Sequence, residues 1–130
     1  MIKKLFGKIY FRINRRHKDR LFCTIFGKEK YKKYALSLYN AINKSTYTNE
    51  DDLEIVTLDD AIYVKMKNDV AYLFSGNLAL YEHQSSVNPN LPLRGLMYFG
   101  DLYNKYIALG NYNIYGRKLI KIPTPQYVVF

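Results

Sequence analysis

Apolar positions recur at helical spacing in two stretches near the start of the chain. From Arg15 to Phe26, the residues Leu21, Phe22, Ile25 and Phe26 fall on one side, and Gly27 follows as a stop. From Tyr31 to Ile42, the series Tyr31, Tyr34, Ala35, Leu38, Ala41 and Ile42 predicts a second helix. Asn43 to Asp52 is polar and ends in the acidic run Asn49-Glu50-Asp51-Asp52, which reads as a solvated loop. The pattern then changes. Ile55, Val56, Leu58, Ile62, Tyr63 and Val64 favour strand, with Asp59-Asp60 as a turn between them. Two further apolar runs, Asp69 to Phe74 and Asn77 to Gln84, flank Ser75-Gly76 and predict a β-hairpin. Pro89 and Pro92 mark a loop, and Pro92 suits the first turn of a helix. That helix runs through Leu93, Leu96, Met97, Tyr103, Tyr106 and Ile107 to Gly110. Pro123 and Pro125 precede a short terminal strand, Tyr127 to Phe130. Helices, then strands, then a helix and a strand, make a mixed α/β domain.

Composition bounds this reading. A chain of 130 residues with 48% hydrophobic content suits one domain with a core of its own. The single cysteine, Cys23, has no internal partner for a disulfide, and its apolar surroundings make it a small core residue. The two histidines, His17 and His83, stand at no metal-ligand spacing with it, which argues against zinc. No run approaches the length of a membrane-spanning helix, and no signal-peptide pattern opens the chain.

Charge adds a polarity to the chain. The formal net charge is +9. Residues 1–33 hold twelve of the 20 basic residues against two acids, a local balance of +10, while the remainder holds eight basic residues against nine acids. A basic segment of this kind suits a polyanion, either nucleic acid or an anionic membrane surface. Residues 1–14 read as a basic amphipathic extension, with Ile2, Leu5, Phe6, Ile9, Tyr10 and Ile13 at helical spacing. Such a stripe either packs on the core or a partner or lies on a membrane surface, and residues 15–130 form the domain.

The hairpin carries the chemistry. With Ser75-Gly76 as a two-residue loop, Phe74 pairs with Asn77, and Asp69 then stands opposite Glu82. Strand alternation puts Leu78, Leu80, Glu82, Gln84 and Asp69 on one face. Two carboxylates so close repel unless a cation lies between them. Magnesium takes one or two protein carboxylates and fills its octahedron with water and substrate phosphate, and such an ion activates a phosphodiester for attack. Gln84 would face the same site, where its amide can orient a water but cannot take its proton. From spacing alone, a solvated strand face explains the same residues, because a slip of one residue moves them to opposite faces.

Four segments carry a family resemblance: Arg20-Leu-Phe-Cys-Thr-Ile-Phe-Gly27, Ala35-Leu-Ser-Leu-Tyr-Asn-Ala-Ile-Asn43, Met66-Lys-Asn-Asp-Val70, and the run from Leu80 through Glu82-His-Gln-Ser to Asn88-Pro-Asn-Leu-Pro-Leu-Arg-Gly95. From about Arg15 to Phe130 the chain resembles the Rpn family of recombination-promoting nucleases and putative transposases, within the PD-(D/E)XK superfamily. The resemblance implies a restriction-endonuclease-like core: a helix, three strands, a helix and a strand, with a mixed sheet flanked by helices. It makes Asp69 and Glu82 the metal-binding acids, with Gln84 at the position where the superfamily more often has lysine. Asp19 corresponds to an accessory acid of the first helix; a local ion pair in a basic helix is the plainer account of it. Family members commonly continue beyond the strand matching Tyr127 to Phe130, where this sequence stops. That implies either a weakly active or inactive nuclease fragment, or one that pairs with itself or with full-length relatives. The lone cysteine fits a reduced intracellular compartment, and the expected location is the cytoplasm of a bacterium.

Other side chains take secondary roles. Arg94 stands either near a phosphate at the metal or bonded to the Asn88–Asn90 loop. Lys65 and Lys67 either meet backbone phosphate or balance the nearby acids, and Arg15, Arg16, Lys18 and Arg20 offer non-specific phosphate contacts. Most of the fourteen tyrosines and seven phenylalanines fall at core spacing rather than in positions to stack on bases. The expectation is a magnesium-dependent DNA endonuclease of low sequence specificity. The alternatives are a binding module that holds nucleic acid or a partner without cutting, and a peripheral membrane protein anchored through residues 2–13.

Overall fold

The computed structural model describes residues 15–56, 69–84 and 86–130, with the first six of these given as helical backbone only. The amphipathic extension and the second half of the first predicted strand region fall outside those residues. Helix α1 spans Arg15–Phe26. A 3-10 turn at Glu29–Tyr31 leads into helix α2, Lys32–Asn43. A second 3-10 turn, Glu50–Asp52, is capped by the Asn49 side chain, which accepts the Asp51 N–H at 3.2 Å. The four strands are β1 (Glu54–Val56), β2 (Asp69–Phe74), β3 (Asn77–Glu82) and β4 (Thr124–Val129). Helix α3, Leu91–Leu109, joins β3 to β4.

The sheet order is β1-β2-β3-β4. The first three strands are antiparallel and β4 lies parallel to β3, so the sheet is mixed. The parallel pair requires a crossover, and α3 supplies it. The hairpin register is the predicted one: Phe74 pairs with Asn77 and Asp69 with Glu82. Ser75 and Gly76 both have positive φ, 51° and 76°, the mark of the primed turn whose twist matches the strands it joins.

Alternation along β2 and β3 feeds two cores. Val70, Tyr72, Phe74, Ala79 and Tyr81 face α1 and α2, where they meet Ala35, Leu36, Tyr39 and Leu53. Ala71, Leu78 and Leu80 face α3, where they meet Tyr98 and Leu102. Aromatic edges tighten the first layer: Tyr39 and Tyr47 each set a ring edge-on to Phe74 at 4.8 Å. Cys23 packs partly buried against this layer, as its setting in the sequence predicts. Buried hydroxyls find acceptors, Tyr81 on Gln126 Oε1 at 2.9 Å and Tyr103 on the Pro123 carbonyl at 2.7 Å. Gln126 in turn donates to Asn43 Oδ1 at 2.8 Å, tying β4 to the end of α2.

Three details depart from the expected pattern. Strand β4 starts at Thr124 rather than Tyr127, and it tolerates Pro125 because it is an edge strand. Helix α3 buries Gly95, Tyr98 and Leu102, whereas Leu93, Leu96 and Met97 are exposed. Apolar residues surround this helix, so periodicity alone does not choose its inner face. The choice falls to Gly95, where a Cβ would stand 2.5 Å from the Tyr127 ring. Only glycine lets the helix come that close to β4. In the same way α2 buries Ala35, Leu36 and Tyr39 and leaves Tyr34 exposed.

This assignment of faces has a measurable consequence. Leu80→Ala removes a side chain with no exposure and should lower unfolding free energy by about 2–5 kcal/mol. Leu96→Ala, at 72% exposure, should change it by no more than about 0.5 kcal/mol. Urea titration of both variants checks the orientation of α3; comparable losses would mean that the helix is turned the other way.

Candidate active site

Asp69 and Glu82 form the last pair of the β2–β3 ladder, at the end away from the turn. Opposed residues of an antiparallel pair hold their Cβ atoms about 4.5–5.5 Å apart. Both side chains continue the face formed by Ala71, Leu78 and Leu80, the face that packs on α3. The carboxylates therefore stand at the polar end of an otherwise apolar surface.

Glu82 is the only charged side chain fully buried among the described residues. Three donors converge on it. Arg94, in the first turn of α3, donates from Nη2 to Oε1 at 2.7 Å. The Tyr127 hydroxyl, reaching over from β4, donates to Oε2. Gln84, just past the end of β3, donates from Nε2 to Oε1. Gln84 is itself held by its backbone N–H on the Phe130 carbonyl at 3.0 Å, and the Phe130 N–H meets the Glu82 carbonyl at 2.9 Å. A buried charge with this many charge-assisted bonds is satisfied locally.

Asp69 is the opposite case. Both of its carboxylate oxygens are buried without a hydrogen-bond partner, and so is Gln84 Oε1. Burial raises the Asp69 carboxyl to about 7; the Glu82 charge adds to the rise and Arg94 opposes it. Burial pushes the Tyr127 hydroxyl up as well, and its bond to Glu82 adds to that, so it remains a donor. For Arg94 burial disfavours the charge, but the Tyr98 hydroxyl and then the Glu82 carboxylate outweigh it and hold the pKa above the usual arginine value. The hydroxyl of Tyr98 accepts from Arg94 Nε at 3.2 Å.

Whether these residues suit a divalent cation can be tested on their chemistry. The unpartnered atoms, Asp69 Oδ1 and Oδ2 and Gln84 Oε1, are all hard oxygen donors, and Glu82 lies beside them. Among the described residues no three His, Cys, Asp or Glu side chains gather as a metal cage. That leaves the sparse mode in which magnesium takes one or two carboxylates and completes its shell with water and phosphate. The residues present fit that mode.

The structure thus brings together Asp69, Glu82, Gln84 and Arg94. Arg94 turns to Glu82, not to the Asn88–Asn90 loop. Arg15, Arg16, Lys18, Asp19 and Arg20 belong to α1, but their side chains lie outside the described residues, as do Lys65 and Lys67. Two contributors escape a reading of the sequence. Tyr98 stands four residues after Arg94, a helical spacing that signals contact once α3 is assigned. Tyr127 gives no local signal, because its neighbour Leu80 is set by the parallel register across the whole α3 crossover. Comparison with protein-family models, curated proteins and solved structures finds no match for this chain.

The raised Asp69 carboxyl makes stability depend on pH. Its folded pKa lies above the ordinary aspartate value of 3.8, so its contribution is complete below that value and is lost as pH rises towards about 7. In EDTA, Asp69→Asn should therefore stabilise the protein at pH 8, by about 2 kcal/mol after allowance for partial solvent contact. Little should be gained at pH 4. Urea unfolding at the two pH values measures the difference, and an equal gain at both would show that Asp69 is not held protonated by its surroundings.

Proposed function

We propose that this protein is a magnesium-dependent DNA endonuclease of the PD-(D/E)XK type, cutting with little sequence preference. The observation that carries the reading is the buried, unpartnered Asp69 carboxylate set opposite Glu82 at the end of an apolar face. A folded chain keeps two acids in that arrangement at a cost, and a cation removes the cost. The order α1, β1, β2, β3, α3, β4, with α2 inserted after the first helix, also agrees with the core implied by the Rpn-family resemblance.

Asp69 and Glu82 would hold the ion, with the Gln84 carbonyl beside it. Magnesium, when bound, supplies Lewis-acid activation of the phosphate and of the attacking water. Asp69 must give up its proton to serve, which its carboxyl at about 7 allows near neutral pH. The Tyr127 hydroxyl and Gln84 Nε2 fix the Glu82 carboxylate in one orientation. Arg94 supplies a positive charge at the site, at the start of a helix, where a phosphate is also favoured. The basic residues of the first 33 positions supply an attraction for the DNA backbone that is independent of sequence and weakens with salt.

Plasmid nicking by the purified chain, with magnesium and with EDTA, tests this. Cleavage should require the metal and should fall by about 10³-fold or more in Asp69→Ala and in Glu82→Ala, the scale of losing several kcal/mol of transition-state stabilisation. DNA binding, measured by fluorescence anisotropy, should change by less than about threefold in Asp69→Ala, since the backbone grip lies elsewhere. Binding without any cleavage by the unaltered chain would instead identify a module that holds nucleic acid and does not cut it.

A further inference from the structure

We propose that Arg94 is a built-in counter-cation of this site, which a divalent ion must displace from Glu82 and which then stays at hand as a phosphate contact. This rests on the nuclease reading and adds to it what Arg94 does before the ion binds. Glu82 has no solvent exposure, and both of its oxygens are already committed: Oε1 to Arg94 and Gln84, Oε2 to Tyr127. Asp69, by contrast, has nothing. A cation arriving from the Asp69 side therefore finds one free carboxylate and one whose near oxygen is bonded to a guanidinium 2.7 Å away. A dication and a guanidinium sharing one carboxylate repel each other strongly at such range and low polarity.

Arg94 is the partner equipped to give way. Glu82, Gln84 and Tyr127 are fixed by strand pairing or its continuation, through Glu82 with Val129, Leu80 with Tyr127, and Gln84 N–H on Phe130. Arg94 hangs from the first turn of α3 on a long stem and retains 28% side-chain exposure. Its second attachment is independent of Glu82. Nε donates to the Tyr98 hydroxyl at 3.2 Å, and the guanidinium lies 5.8 Å from the centre of that ring. Released from Glu82, the guanidinium remains tethered over Tyr98 beside the helix start, where a planar cation suits bidentate contact with phosphate. The same ion pair keeps Glu82 from being an uncompensated buried charge when no metal is present. A residue that only braced Glu82 would make the opposite prediction, since its removal would disorder the ligand and weaken metal binding.

Calorimetric titration of the full chain with magnesium chloride distinguishes these. Arg94→Met should bind the ion about tenfold or more tightly than the unaltered chain, and Arg94→Lys should fall between them. Equal or weaker binding by Arg94→Met, with binding by the unaltered chain intact, overturns the inference and leaves the nuclease reading standing. No binding by either protein removes the metal site itself and the nuclease reading with it. Should Arg94→Met not fold, the unaltered chain still decides. In spectra of arginine side-chain N–H groups, one guanidinium should lose its protection from solvent exchange as magnesium saturates; no such change overturns the inference.

Discussion

A carboxylate shut away from water has to be compensated from every side, and Glu82 sets that condition at the end of the central hairpin. Its compensation draws on three parts of the fold. Arg94 comes from the first turn of α3, Tyr127 from the parallel strand β4, and Gln84 from the chain just beyond β3. Helix α3 must lie close enough for Arg94 to reach, which requires Gly95 at the Tyr127 ring. Strand β4 must pair in the register that sets Tyr127 beside Leu80. Loss of Arg94 removes the partner of a buried ion pair, a cost of about 3–5 kcal/mol, and loss of either neutral donor costs about 1.5–3 kcal/mol. The last two elements are thus tied to this side chain as well as to the apolar core and the β3–β4 ladder.

Asp69 and Glu82 are paired neighbours with contrasting surroundings, and the contrast carries the chemistry. Glu82 is fully bonded, whereas Asp69 is raised to about 7 with both oxygens unpartnered. An antiparallel pair of carboxylates could have been relieved by giving each its own cation. Instead the available guanidinium serves one of them and leaves the other as the vacancy in the charge balance. The asymmetry lies in the bonding of Arg94, which pairs with Glu82 while Asp69 feels its charge without a hydrogen bond.

Much of this was legible in the sequence. Ser75-Gly76 between two apolar runs dictates the turn, the turn dictates the register, and the register puts Asp69 opposite Glu82 with no further information. Helix α1 and the start of α3 followed from periodicity and from Pro92. The inner face of α3 did not, because Leu93, Leu96 and Met97 make as good an apolar stripe as Gly95, Tyr98 and Leu102. Sequence periodicity reports that a helix has an apolar face, and tertiary contact decides among several. The Tyr127 contact was out of reach for a related reason: a parallel pairing across a helix leaves no local trace in either strand. Arg94's bond to Glu82 was likewise not legible, since the sequence left that side chain either near a phosphate or on the Asn88–Asn90 loop.

The contact between Tyr127 and Glu82 joins residues 45 positions apart. While the chain is being made, the hairpin and both of its acids emerge well before the strand that completes the Glu82 shell. A hairpin closes in about 1–10 μs, whereas non-local parallel pairing is intrinsically slow. Between those events the early structure exposes an unfinished charged pocket that only the arrival of β4 can close. A hairpin that forms before β4 therefore has Asp69 opposite Glu82 in register but lacks the Tyr127 bond to Glu82, so the surroundings of the buried acid are complete only once the sheet is.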